Sequence, residues 1–185
     1  MNNPPATKAT IAFLGTGLMG APMCRNILKH GFSLRCWNRT LSKSQPLEAM
    51  GALVAQTPEE AVTGAGVIIS MLSDGPSVLD VMRKKAVLKA FKQGAIWIDM
   101  SSTKPKEAQE QTKILVKRGI SHLDAPVSGG TKGAAAGNLA IMAGGKREIF
   151  EQATTYLLSM GRPVYVGPSG SGQLAKLANQ TIVGI

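Results

Sequence analysis

Aromatic residues are scarce in this chain: four Phe, two Trp and two Tyr make up 4% of it. Nucleic-acid binders that stack or read bases place aromatic or base-contacting side chains beside a basic patch. The densest basic cluster, Arg83, Lys84, Lys85, Lys89 and Lys92, has helical spacing and lacks such companions. It reads as a solvated helix face, and nucleic acid is not expected as a partner. Cysteine is nearly absent too. Cys24 and Cys36 are too few for a disulfide framework or a four-thiolate site, and their apolar neighbours mark them as small buried thiols. His30 and His122 have no clustered acidic or thiol partner, so no metal site is expected. No apolar run reaches the roughly 18 residues of a membrane span. The first ten residues lack an apolar secretory core and read as a flexible leader over 1–9, in a soluble, cytoplasmic protein. Acidic residues are also few, 11 against 21 Lys and Arg, for a formal charge of +10. Such a field favours the approach of small anionic ligands.

What is present is alternation. The 185 residues suffice for one well-cored domain, and strand-like apolar runs alternate with helical patterns along them. Strands are expected at 10–14, 33–37, 52–55, 67–72, 95–99, 120–124, 138–142 and 163–166. Helices are expected at 18–30, closed by Gly31, and at 41–50, where Pro46 weakens the pattern. Further helices are expected from Thr57-Pro58-Glu59-Glu60, which sets cap, first-turn proline and capping glutamate in order, and at 76–91, 106–118 and 147–160. Strands alternating with helices imply right-handed crossovers and a doubly wound, mainly parallel α/β sheet flanked by helices. The last segment, GSGQLAKLANQTIVGI, carries a helical apolar stripe at Leu174, Leu177, Ala178, Ile182 and Ile185. Gly172, Lys176, Asn179 and Gln180 share the opposite side. The pattern stops in mid-stripe, which suggests that more protein follows.

Gly15-Thr16-Gly17-Leu18-Met19-Gly20 matches G-x-G-x-x-G between an expected strand and an expected helix, the context that gives the pattern meaning. The first glycine permits a tight turn, the second lets phosphate oxygens reach the backbone, and the third lets helix and strand pack closely. The helix start then offers free N–H groups and a positive dipole end to a pyrophosphate. About 20 residues on, where an NAD binder usually places a carboxylate for the ribose 2′-OH, stands Asn38-Arg39-Thr40. A guanidinium suits a 2′-phosphate, and Asn38 and Thr40 can add neutral hydrogen bonds. NADP(H) is therefore expected, with NAD(H) as the second choice.

Two more stretches are chemically suggestive. In Asp124-Ala125-Pro126-Val127-Ser128-Gly129-Gly130, a hydroxyl followed by two glycine amides at a strand end can grip a carboxylate. In Gly172-Gln173-Leu174-Ala175-Lys176-Leu177-Ala178-Asn179, Lys176 and Asn179 fall at i and i+3 on one helix face. A lysine whose pKa is lowered can exchange a proton with a carbonyl or hydroxyl oxygen during hydride transfer.

Taken in order, FLGTGLMGAPM, WNRT, MLSDG, IDMSST, DAPVSGGTKGAAAGNLAIMAGG and GSGQLAKLANQ resemble the β-hydroxyacid dehydrogenases, from about Ile11 to Ile185. That family includes 3-hydroxyisobutyrate dehydrogenase, tartronate semialdehyde reductase, the glyoxylate/succinic semialdehyde reductases and, more distantly, 6-phosphogluconate dehydrogenase. The resemblance implies a Rossmann-type dinucleotide-binding domain over 10–169. It also implies that 170–185 begins the inter-domain helix, with the all-helical second domain missing. It implies Lys176 as the catalytic lysine, Asn179 as a substrate-side asparagine, and Ser128, Gly129 and Gly130 as the carboxylate anchor. Leu72 and Ser73 would lie against the cofactor ribose, Ser102 near the nicotinamide, and Asn38, Arg39 and Thr40 would mark the NADP-preferring branch. The implied reaction is NADP(H)-dependent hydride exchange with a small carboxylate-bearing aldehyde or hydroxyacid of the glyoxylate, succinic semialdehyde, tartronate semialdehyde or 3-hydroxyisobutyrate type. A full-length parent would be a homodimer or tetramer, and this part alone would be weakly active or inactive. The alternatives are an imine reductase, against which the lysine counts, and a non-catalytic dinucleotide-binding module.

Overall fold

The computed structural model describes residues 10–183; the leader expected over 1–9 and the stripe residue Ile185 lie outside the described residues. Among the described residues, nine strands form one sheet. In chain order they are β1 (Ile11–Leu14), β2 (Leu34–Trp37), β3 (Leu53–Val54), β4 (Val67–Ser70), β5 (Ile96–Asp99), β6 (Ser121–Asp124), β7 (Val127–Ser128), β8 (Leu139–Gly145) and β9 (Gly161–Gly167). Their spatial order is β3-β2-β1-β4-β5-β6-β8-β7, with β9 also paired to β8. The run from β3 to β6 is parallel throughout. The strands IAFL, VIIS and IWID are buried along their whole length, as a sheet covered on both faces requires. Alternate side chains feed two cores. Ile11, Phe13, Val67, Ile69, Ile96 and Ile98 enter one, and Ala12, Leu14, Ile68 and Trp97 the other.

The helices are α1 (Gly20–Lys29), α2 (Pro58–Val62), α3 (Gly75–Arg83), α4 (Lys85–Ala90), α5 (Pro105–Val116), α6 (Gly130–Ala136), α7 (Arg147–Leu157) and α8 (Ser171–Val183). The Thr57 cap forms as expected, with its hydroxyl accepting from Glu60 N at 3.2 Å while Glu60 Oε2 accepts from Gln56 N at 2.8 Å.

Elsewhere the structure corrects the sequence reading. The single helix expected over 76–91 is broken at Lys84, which is extended; the bend carries Val87 into the second core. The segment 41–50 is two 3₁₀ turns, the second restarting around Pro46. The sheet is not parallel at its far end, where β8 runs antiparallel to both β6 and β7. Neither β7 nor α6 was expected. Strands β8 and β9 outrun the expected 138–142 and 163–166, because each ends in glycines that weaken the strand signal. Those glycines are required by close approach: a Cβ on Gly161 would overlap the main chain of Leu139.

At the carboxyl end of the sheet the chain buries polar groups. Ser70 Oγ donates to Asp99 Oδ1 at 2.8 Å, Ser101 N donates to the same oxygen at 3.1 Å, and Trp97 Nε1 donates to Ser70 Oγ at 2.8 Å. Asp99 Oδ2 has no hydrogen-bond partner among the described residues; the Gln111 amide lies near without completing a bond. Burial therefore dominates, and it lifts the Asp99 carboxyl from an ordinary 3.8 to about 6 against the pull of its donors. A carboxyl with a raised folded pKa holds its proton more tightly when folded. Its contribution to stability is best below about pH 4, falls as pH rises to about 6, and stays low above that. Asp99→Asn keeps an Oδ1 acceptor and removes the charge. Urea unfolding should show wild type losing about 2–3 kcal/mol relative to Asp99→Asn between pH 4 and pH 7; parallel profiles would refute the buried charge.

Candidate active site

Strand β1 lies between β2 and β4. It is the switch point where the order of a doubly wound sheet reverses and where its ligands bind. The glycine turn leaves β1 there. Gly15 has φ 103°, and a Cβ on it would strike the Met71 carbonyl and the Leu72 side chain. A Cβ on Gly20 would overlap the Gly15 carbonyl and press on Phe13. Gly17 differs, since a Cβ there would meet nothing within 4 Å. Two glycines are thus demanded by packing, and the middle one faces open space. That space is the fit test for a dinucleotide: a phosphate group can approach the backbone at Gly17 without displacing protein. Helix α1 starts at Gly20 with Met19 as cap, not at Leu18 as expected, and no side chain caps it. Leu18 is 86% exposed on the turn.

The end of β2 meets this turn. Asn38 Oδ1 accepts from Thr16 N at 3.1 Å, and Asn38 Nδ2 donates to Thr40 O at 3.0 Å. Asn38 is therefore a clamp between strand end and cradle, and much of its expected capacity for a ligand is used inside the protein. The Thr16 hydroxyl is likewise turned inward, 2.8 Å from Ser44 Oγ. Arg39 and Thr40 are exposed beside the cradle. Arg39 is near enough to help hold the Asp74 carboxyl below its usual range, behind the larger effect of the Ser77 hydrogen bonds. On the other side of the switch point, Leu72 packs on Gly15 and its N–H donates to Ser101 Oγ at 2.9 Å. Ser73 is exposed, its hydroxyl 2.9 Å from that of Ser77.

The residues expected to do chemistry converge from three segments. Asn179 Nδ2 donates to Ser128 Oγ at 3.2 Å, joining α8 to β7. Gly129 and Gly130 follow with φ of 128° and 58°, and open space surrounds the Cα of Gly130. Lys176 and Ser102 line a cleft of about 410 Å³ shared with Asp74, Lys104, Gln173 and Gln180. Partial burial lowers the Lys176 pKa. A larger hollow of about 710 Å³ lies at the β3 edge, around Arg35, Glu48 and Glu60. It holds none of the expected site residues, and the Arg35 guanidinium there is committed to the carbonyls of Glu60 and Thr63.

Helix α8 reaches the cleft through residues the motif reading did not single out. The Asp124 carboxylate accepts from Gly170 N at 2.7 Å and from Gln173 N at 3.0 Å. Burial raises its pKa, and those main-chain donors pull it back. Gly172 and Gly144 let the helix touch the strands: a Cβ on Gly172 would overlap the carbonyls of Asp124 and Met142. The inward side of α8 carries Gly172 and Gln173, both buried, while Leu174, Leu177 and Ile182 face out at 61%, 47% and 75% exposure. No sequence signal set Gln173 apart, because what marks it is its burial one turn before Lys176.

Comparison with known proteins agrees with this geometry. The model of the NAD binding domain of 6-phosphogluconate dehydrogenase matches residues 10–167. The NAD-dependent L-serine dehydrogenase of Pseudomonas aeruginosa is 40% identical over 95% of this chain, and 2-(hydroxymethyl)glutarate dehydrogenase of Eubacterium barkeri is 35% identical over 94%. The chain spans 59% and 58% of those two relatives' lengths. Among solved structures, 3-hydroxyisobutyrate dehydrogenase of Mycobacterium tuberculosis with L-serine is 37% identical, with a TM-score of 0.91 over 95% of this chain and 60% of that one. The chain belongs to the family described as the NAD binding domain of 6-phosphogluconate dehydrogenase, and within it is similar to 3-hydroxyisobutyrate dehydrogenase.

Proposed function

We propose that this chain carries the cofactor cradle and the proton-transferring lysine of an NADP(H)-preferring oxidoreductase of small β-hydroxyacids and their semialdehydes. The observation that carries this reading is the meeting of Lys176 and Ser102 in one cleft, with Asn179 bonded to Ser128 beside it. The dinucleotide, when bound, would supply or accept the hydride. The chain's own residues supply the rest. Lys176 Nζ takes the hydroxyl proton in oxidation and returns one in reduction, aided by the lowering of its pKa on partial burial. Ser128 Oγ and the N–H groups of Gly129 and Gly130 hold the substrate carboxylate. Asn179, already bonded to Ser128, orients that anchor.

The substrates named for the relatives narrow the class. L-Serine, 3-hydroxyisobutyrate and 2-(hydroxymethyl)glutarate share one skeleton, HO–CH₂–CHX–COO⁻, and differ only in X. A carboxylate anchor and a lysine held at a fixed separation suit that constant part and leave X free. Glyoxylate places its carbonyl one carbon too near the carboxylate, and succinic semialdehyde one too far. NADP(H) preference rests on Arg39 standing where a carboxylate would repel a 2′-phosphate.

Two measurements test these assignments. In a chain extended past Ile185, turnover of 3-hydroxyisobutyrate or L-serine should exceed that of glycolate and 4-hydroxybutyrate, and Lys176→Ala should lower kcat by about 10²–10⁴ with dinucleotide affinity unchanged. Turnover that survives the substitution removes Lys176 from the reaction. By calorimetry, wild type should bind NADPH more tightly than NADH. Arg39→Ala should weaken NADPH by about 10- to 100-fold while leaving NADH alone. Equal affinities in wild type would end the NADP(H) assignment.

A further inference from the structure

Lys176 stands on a helix whose placement is set one turn earlier, at Gln173. That side chain is only 1% exposed, and both ends of its amide are used. Oε1 accepts from Thr103 N at 2.9 Å, and Nε2 donates to Ser101 O at 2.8 Å. Its own main-chain N–H donates to Asp124 Oδ2 at 3.0 Å. Ser101 carries the connection on, accepting from Leu72 N through its hydroxyl at 2.9 Å and donating from its N–H to Asp99 Oδ1 at 3.1 Å. Three segments thus meet in one buried seam: the turn after β4, the turn after β5, and the start of α8.

A leucine or methionine would fill the same volume without the cost of desolvating an amide. The amide instead pairs with main-chain atoms on both sides of Ser102. Main-chain partners make it a gauge of where that turn sits, since a shift of a few tenths of an ångström weakens both bonds. Lys176 follows at i+3 on the same helix, so its base moves with Gln173. Ser102 and Lys176 line the same cleft, at the end of the sheet where the cradle opens.

We propose that Gln173 is a positioning residue: by locking α8 to the 101–103 turn, it sets the reach of Lys176 Nζ relative to Ser102 and the cofactor end of the cleft. The inference rests on the reading of Lys176 given above. Asp124 holds the start of the helix to β6, and Gln173 adds the second point of attachment, which fixes its rotation about that point. The turn that bears Leu72 is joined through Ser101, so the cofactor side and the lysine side share one rigid frame.

The test uses Gln173→Met, which keeps the shape and loses both side-chain bonds, in lysine-labelled protein followed by NMR. The Lys176 resonance is identified by its loss in Lys176→Arg. Leu157→Ala, a cavity in the buried core cluster at α7, controls for lost stability. In Gln173→Met the Lys176 titration midpoint should rise, as its burial is relieved, and it should stay in place in Leu157→Ala. Dinucleotide affinity should fall less than kcat, which falls by about 10- to 100-fold. If Gln173→Met does not fold alone, saturating dinucleotide restores the native state by mass action, and the same resonance is read there. A Lys176 midpoint equal to that of wild type in folded Gln173→Met overturns the proposal, as does an equal shift in Leu157→Ala. The resonance is independent of turnover. Activity that survives Lys176→Ala would remove the lysine's chemical role and leave the Gln173 result standing, whereas an unmoved midpoint would refute the positioning even where Lys176→Ala is dead.

Discussion

The Asp124 carboxylate, shared between the N–H groups of Gly170 and Gln173, is the contact on which the arrangement of the site turns. It lies at the carboxyl end of β6 and receives the first turn of α8, where four N–H groups lack helical partners. A buried carboxylate costs free energy unless donors surround it, and a helix start supplies both donors and a favourable dipole. Each half thus cancels the other's debt. Glycine at 172 and 144 brings them into contact, because any side chain there would strike main chain. The result is a helix entering at a fixed point and carrying Lys176 and Asn179 to places that sheet geometry has already chosen.

The two halves of the cleft are built by different physics. The cradle is local: Gly15, Gly17 and Gly20 lie within six residues, and Asn38 braces the turn from the neighbouring strand. Its shape follows once β1 pairs with β2 and β4. The lysine side is assembled from positions far apart in the chain, Ser102, Ser128 and Lys176, with nothing local to order them. It depends on Asp124, Ser101 and Gln173, whose bonds across the start of α8 run between segments 46 to 72 residues apart. Loosening of the structure should therefore reach the lysine side before the cradle.

The same division governs what could be read from the sequence. Strands β1, β4 and β5 were legible because a parallel strand buried on both faces must be a continuous apolar run. The Thr57 cap was legible because its side chain bonds three residues away. Segments whose structure is decided by tertiary approach were not. GTKGAAA forms α6, a helix that its two glycines conceal, and the glycine ends of β8 and β9 look like breaks until the main chain they must pass is in view. Lys84 breaks a periodic pattern, and the bend returns Val87 to the core that Val78 and Met82 already fill. In the site, the chemically reactive types were visible, while the residues that hold them were missed. Asp124 stood in a quoted stretch as a mere neighbour of Ser128, and Gln173 and Ser101 look unremarkable until their partners, mostly main-chain atoms, are known.

Helix α8 inverts the usual rule of amphipathic packing. Its inward side holds Gly172, Gln173, Lys176 and Asn179, and its apolar stripe of Leu174, Leu177 and Ile182 faces away from the sheet. A helix seated by apolar burial is held by a force without direction, so small rotations are nearly free. One seated by hydrogen bonds to Asp124, Thr103 and Ser101 is held in angle as well as in distance. That suits a lysine that must present one nitrogen to one oxygen. It also leaves an apolar stripe that a soluble surface does not favour, on a chain that spans about three fifths of its relatives' length. Polar bonds inside and apolar side chains outside are complementary: the first set where Lys176 stands, and covering the second would tighten that setting without having to create it.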